Sequence, residues 1–180
     1  MTTPKPRFSL YVDGSCIGNR DVDASTQAGW GLVIVEKDSG LGRRGGEFVE
    51  ERCGSVVTDS AAEGFLGAEV GSNNTAELSA FAHALRWLLA EGGDEHCEIC
   101  TDSEYAGNIS EGRWRARANR ALASRVQSLW VEVSALRALS WRHVRAHRGN
   151  RWNERADHLA LRAALRSSPE PLDFWKPGSR

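Results

Sequence analysis

No apolar run in these 180 residues approaches the length that a bilayer-spanning helix needs. The first residues, Met1 to Arg7, are polar and lack the apolar centre of a secretory signal. A cytoplasmic protein is therefore expected, with a nuclear or organellar address, or a piece cut from a longer chain, left open. Net charge is also missing. Lysine and arginine total 23 against 24 aspartates and glutamates, a balance of -1, so the molecule as a whole is no basic nucleic-acid binder. Cysteine is scarce, and no second Cys pair has zinc-finger spacing beside Cys97 and Cys100. Those two stand three apart in a stretch that reads as a strand, so they should face opposite ways and stay reduced and buried. Internal repeats, low-complexity tracts and a second domain are likewise lacking.

What is present is an ordinary globular composition, 41% apolar and 26% charged, long enough for one domain with its own core. Alternating or β-rich stretches predict strands at Phe8 to Val12, Ala28 to Glu36, Glu47 to Val57, Cys97 to Thr101 and Leu139 to Ala146. The clearest helix is expected over about Thr75 to Ala90, with Leu78, Phe81, Leu85 and Leu88 on one face and Gly92-Gly93 after it. A short helix follows over Ser103 to Ile109. Asn119 is placed to cap a longer one with the stripe Leu122, Val126, Leu129, Val133 and Leu136, and Asn153 to cap a last one reaching about Arg166. The order β-β-β-α-β-α-α-β-α implies an α/β fold: a five-stranded mixed sheet, three antiparallel strands and then parallel ones, flanked by helices. Residues 1–7 read as a flexible N-terminus, 8–166 as a single domain, and 167–180 as a proline-containing tail on which Phe174 and Trp175 could dock. Residues 58–72 read as an irregular loop anchored by Phe65-Leu66.

Four acids stand at the ends of predicted elements, and each has an ordinary explanation. Asp13-Gly14 is a turn pair. Glu77 sits three after Asn74, as in a capping box. Asp102 opens a helix, and Asp157 lies near a helix start, where negative charge meets the dipole. Their placement together says more. Strand ends and helix starts of an open α/β sheet converge on one crevice. Carboxylates gathered there repel unless cations separate them, and hard oxygen donors favour Mg²⁺ or Mn²⁺. Two such ions about 4 Å apart can activate a water and stabilise a leaving oxygen, so the residues point to metal-assisted phosphoryl transfer without naming a substrate. Two basic stretches, Arg113 to Arg125 and Arg142 to Arg151, are each compatible with a solvated face or with phosphate binding.

Five motifs in order resemble the type 1 ribonuclease H family over about Phe8 to Arg166. They are Asp13-Gly14-Ser15-Cys16-Ile17-Gly18-Asn19, Asn73-Asn74-Thr75-Ala76-Glu77-Leu78, Thr101-Asp102-Ser103-Glu104-Tyr105, Val144-Arg145-Ala146-His147-Arg148-Gly149 and Asn153-Glu154-Arg155-Ala156-Asp157. The resemblance implies the ribonuclease H-like fold and cutting of the RNA strand of RNA/DNA hybrids, leaving 5′-phosphate and 3′-hydroxyl ends. Asp13, Glu77, Asp102 and Asp157 would hold two Mg²⁺ ions, with Mn²⁺ as a possible substitute, and His147 on a loop would assist proton movement or product release. Gly14, Ser15, Cys16, Asn19 and Asn74 would meet the RNA strand, where 2′-hydroxyls lie exposed across a shallow groove. Asn119 would grip a DNA phosphate, serving equally as a plain helix cap, and Trp114 and Arg117 would bind the substrate. The basic segment Gly112 to Asn119 is a shortened form of the family's protrusion, and the insertion Thr58 to Ser72 has no counterpart with an evident task. A monomer is expected unless the chain belongs to a larger polyprotein. Another nuclease or strand-transfer enzyme on the same fold, and a non-catalytic hybrid-binding domain, are the rival readings.

Overall fold

The computed structural model describes residues 5–42, 45–146 and 148–179. Five strands, β1 (Phe8–Cys16), β2 (Ala28–Glu36), β3 (Glu47–Ser55), β4 (Cys97–Thr101) and β5 (Leu139–His143), form one sheet in the order β3-β2-β1-β4-β5. β1, β2 and β3 are joined antiparallel, whereas β4 runs parallel to β1 and β5 parallel to β4. The helices are α1 (Asn73–Glu91), α2 (Glu104–Ser110), α3 (Arg120–Leu136) and α4 (Arg151–Ala164).

Alternation along the strands splits the interior into two layers. Phe8, Leu10 and Val12 of β1 join Leu78, Phe81, Leu85 and Leu88 of α1 and Leu122, Val126 and Val133 of α3 in the larger core. Tyr11, Val33 and Val35 face the other way and pack with Trp152, Ala156 and Leu159 of α4. Cys97 belongs to the first layer and Cys100 to the second, as expected for residues three apart on a strand. The four cysteines are free. Two glycines set how closely helices approach the sheet. A Cβ on Gly14 would lie 2.4 Å from the backbone nitrogen of Glu77, and one on Gly31 would lie 2.3 Å from the carbonyl of Ala156. Side chains at either position would push α1 or α4 away from the strands that carry the acidic residues.

Several helix ends differ from the sequence expectation. α1 is capped by Ser72, whose hydroxyl accepts from Thr75 N while the Thr75 side chain accepts from the Ser72 backbone, so the capping box is Ser72 with Thr75 rather than Asn74 with Glu77. α4 is capped by Asn150, whose side chain accepts from Trp152 N and Asn153 N; Asn153 itself is buried inside the helix. Asn119 does precede α3, but its backbone is left-handed (φ 55°) and its side chain makes no capping bond. The general reason is that Asn, Ser and Asp are near-equivalent caps, so tertiary packing decides which is used. β1 continues to Cys16, so Asp13-Gly14 lies within a strand opposite Gly31 and Trp30, not in a turn. Strand β5 stops at His143 and β3 at Ser55. Leu136 is exposed at the end of α3, and Leu66, not Phe65, is the buried anchor of the 58–72 segment. In the tail Trp175 is buried and Phe174 is 73% exposed.

Candidate active site

The sheet order puts β1 between β2 and β4, and the acids gather where β1, the end of β4, the start of α1 and the second turn of α4 meet. Asp13 points toward the α4 layer and is only 7% exposed. Its Oδ1 accepts a hydrogen bond from Gly14 N at 2.7 Å. Burial pushes this carboxyl well above the ordinary range, and the charges of Asp102, Asp157 and Glu77 push the same way against the opposing Gly14 bond. Glu77 sits in the first turn and a half of α1, pushed up to about 7 by burial, with the Asp102 charge adding to the rise and a hydrogen bond from Ser103 opposing it. Asp102 immediately follows β4, and Asp157 projects from α4. Asp102, Asp157 and Glu77 therefore all bear on the buried Asp13, and Asp102 bears on Glu77 as well.

A serine that sequence reading passed over connects two of these elements. Ser103 Oγ donates to Glu77 Oε2 at 2.5 Å and accepts from Ala106 N at 3.1 Å, capping α2 while holding Glu77. The signal was available: the residue after Asp102 begins a helix and is a serine, the residue type suited to a cap. His143 adds a second tie, its Nε2 lying 3.2 Å from the Asp102 carbonyl.

Among the described residues no three His, Cys, Asp or Glu side chains close on one point as a finished metal cage. The donor chemistry nevertheless fits divalent cations. All four groups are hard carboxylate oxygens, and the buried Asp13 charge is disfavoured by three like-charged neighbours, a situation a bound cation reverses. Asp13, Glu77, Asp102 and Asp157 are the groups able to hold such ions. His147 lies outside the described residues.

Beside the acids is a groove of about 1050 Å³ lined by Asn74, Tyr105, Ile109, Arg113, Trp114, Arg115, Arg117 and Arg120. It brings Asn74, Trp114 and Arg117 together, with Trp114 48% exposed. Asn119 is not part of this lining. Tyr105 is an addition to the expected set, legible only once α2 is known to face the basic segment. Gly14, Ser15 and Cys16 remain on β1, half-buried, and Asn19 follows in the turn. The Asn19 side chain accepts from Asn73 N at 3.1 Å, which ties the turn to the start of α1. A second groove of about 900 Å³, lined by Lys5, Arg7, Glu36, Lys37, Glu95 and His96, opens near the start of β1 and contains none of the four acids.

The RNase H family model matches residues 5–165. The chain belongs to the RNase H family. Ribonuclease H of Anaplasma marginale (strain St. Maries) is 33% identical over 167 residues, covering 87% of this chain and 89% of that one. Ribonuclease H of Thermosynechococcus vestitus is 32% identical over 179 residues, covering 91% and 96%. Among solved structures, RNase H1 from the halophilic archaeon Halobacterium salinarum NRC-1 superposes with a TM-score of 0.63 at 26% identity over 89% of this chain and 99% of that one. LC11-RNase H1, solved in complex with RNA/DNA hybrid, shares the fold with a TM-score of 0.61 at 22% identity over 88% and 97%. Membership places the chain among the ribonuclease H enzymes, and the mixed sheet is that family's sheet.

Proposed function

We propose that this chain hydrolyses the RNA strand of RNA/DNA hybrids at the Asp13, Glu77, Asp102 and Asp157 site, with two Mg²⁺ or Mn²⁺ ions bound, leaving 5′-phosphate and 3′-hydroxyl ends. The observation that carries the reading is the buried Asp13 carboxyl surrounded by three like charges, next to a groove lined by Asn74, Trp114 and arginines. That combination suits cation binding beside a polyanion and nothing a stable neutral core requires. When bound, the ions supply charge neutralisation at the scissile phosphate and a more acidic water. The chain's own part is placement. Gly14 lets α1 come close enough for Glu77 to share the site with Asp13. Ser103 fixes one Glu77 oxygen. The arginines beside Trp114 attract a phosphate backbone, and the indole offers a face against sugar or base. His147 is the group proposed to move a proton or help product leave.

The test offers end-labelled RNA/DNA hybrid, duplex RNA, duplex DNA and single-stranded RNA, with Mg²⁺ or with chelator. Metal-dependent cutting confined to the RNA of the hybrid is the expected result. Equal cutting of duplex DNA would point to another nuclease of the same fold, and hybrid binding without cutting to a scaffold.

A further inference from the structure

Residues 58–72, between β3 and α1, touch three separate parts of the fold that lead into the site. On one side, Gly71 N donates to the Asp23 carbonyl at 2.9 Å, and Thr58 Oγ1 donates to the Ala24 carbonyl at 2.7 Å. These bonds hold the connection between β1 and β2, the same connection whose Asn19 accepts from Asn73 N. In the middle, Thr75 Oγ1 donates to the Val70 carbonyl at 2.9 Å, and Ser72 caps α1, so the segment runs directly into the helix that carries Asn74 and Glu77. On the far side, Leu66 and Ala68 enter the core layer that holds Leu122 and Val126.

Two glycines make the contacts backbone to backbone. A Cβ on Gly71 would lie 1.9 Å from the Thr26 carbonyl oxygen. Gly67, at φ +110°, would place a Cβ 2.7 Å from Leu122 N and 2.8 Å from the Ala121 carbonyl carbon, in the first turn of α3. Both seams close only because no side chain intervenes. Gly64, in the same segment at φ +82°, would meet nothing within 4 Å.

We infer that the 58–72 segment is a positioning brace that fixes the distance between two edges of the surface proposed to take the substrate. One edge is the connection between β1 and β2, with Asn19. The other is the start of α3 with the arginine- and Trp114-bearing segment before it. The inference rests on the proposed hydrolysis of hybrids, which supplies the substrate that meets both edges. A nucleic acid has to meet both edges at once, so a small change in their spacing weakens productive binding while leaving the four acids in place. Uniform binding lost in this way raises KM and spares kcat.

The test compares Gly71→Ala, Gly67→Ala and the control Gly64→Ala in the full chain. Two readouts are taken: steady-state hydrolysis of hybrid and of duplex RNA, and amide hydrogen exchange, which needs no activity. The Gly71 and Gly67 variants should raise KM for hybrid about tenfold, with kcat within about twofold of wild type. Each should also speed exchange at both edges, residues 19–26 and 119–123, although each substitution touches only one. Gly64→Ala shares the positive-φ strain of Gly67→Ala without its contact and should change neither. Thr58→Val, which fills no space, should act in the same direction more weakly and covers the case in which a glycine variant does not fold. A fall in kcat with KM unchanged would overturn the brace, as would faster exchange at the substituted edge alone. If wild type cuts no hybrid but the two edges still loosen together, the brace stands and the choice of substrate is what fails.

Discussion

Two charged centres draw on α4 through residues only two apart, Arg155 and Asp157, and they are built on opposite plans. Arg155 is fully buried, and every direction of its guanidinium is occupied. Its Nε and Nη2 donate to the two carboxylate oxygens of Glu51 at 2.8 and 2.6 Å, its Nη1 donates to the Glu170 carbonyl at 2.7 Å, and the Trp175 ring centroid lies 5.4 Å from its central carbon. Asp157, on the same helix, adds its negative charge to Asp13, which already feels Asp102 and Glu77. One centre is satisfied by the fold and holds the tail and β3 to the helix. The other gathers like charges around a buried carboxyl. Burial alone therefore does not mark a functional charge; burial among like charges does.

The sharpest way to break this comparison is to neutralise one member of each centre. Asp102→Asn should cut hydrolysis of hybrid by roughly a thousandfold or more, the scale on which electrostatic groups at a reacting phosphate act. Its thermal midpoint should be unchanged or higher, because the substitution removes a like charge facing Asp13. A variant that cleaves at the wild-type rate would show the site assignment to be wrong. Arg155→Met should do the reverse. It leaves the Glu51 carboxylate without its partner and should cost about 3–5 kcal/mol of stability in urea unfolding. At a temperature where it remains folded it should keep most of its kcat.

The two centres also differed in how far the sequence disclosed them. The four acids could each be singled out from a local signal, the start of the strongest helix, the end of a short strand and the Asn-Glu-x-x-Asp pattern among them, although the Asp-Gly pair lies within β1 and not in the turn it suggested. The apolar stripe Leu78, Phe81, Leu85 and Leu88 and the opposite-facing Cys97 and Cys100 were legible for the same reason, since helix and strand periods are local. The Arg155 centre was not, because Glu51 is 104 residues away and Glu170 lies in a segment with no periodicity. The brace and the Ser103 link to Glu77 failed to show for that reason too. Helix caps fell between: Asn74 and Asn153 were chemically suitable, but Ser72 and Asn150 had the backbone placement.

Divalent cations should distinguish the centres without any substitution. Asp13 takes up a proton more readily in the folded chain than in the unfolded one, so its contribution favours folding at low pH. That contribution is lost as pH rises from the ordinary carboxylate range through the raised folded value. Metal-free protein should therefore carry a site that opposes folding near neutral pH. Mg²⁺ at a hundred times its dissociation constant should restore about 2.7 kcal/mol, read as a rise in thermal midpoint. Asp102→Asn should lose most of that rise and Arg155→Met should retain it. Equal rises in all three proteins would mean that the ion binds elsewhere.

The smallest effect concerns a buried cation-former that belongs to neither centre. His83 of α1 stacks on Trp30 with ring centroids 3.7 Å apart. Burial pushes it down to about 4, and the nearby Arg86 and Arg52 charges push in the same direction. A histidine held low in the folded state is protonated first in the unfolded one, so its contribution is fully present above the unfolded value near 6.5 and fades as pH falls toward 4. Partial exposure reduces the full linkage, leaving a loss of roughly 2 kcal/mol across that window. Urea unfolding of wild type and His83→Phe at pH 7 and pH 4.5 reads it: the wild type should lose more stability than the variant, and hydrolysis at pH 7 should be the same in both. A drop in activity for His83→Phe at equal stability would place this stacked pair in the catalytic machinery, and the division between crowded and satisfied charges would then need a third member.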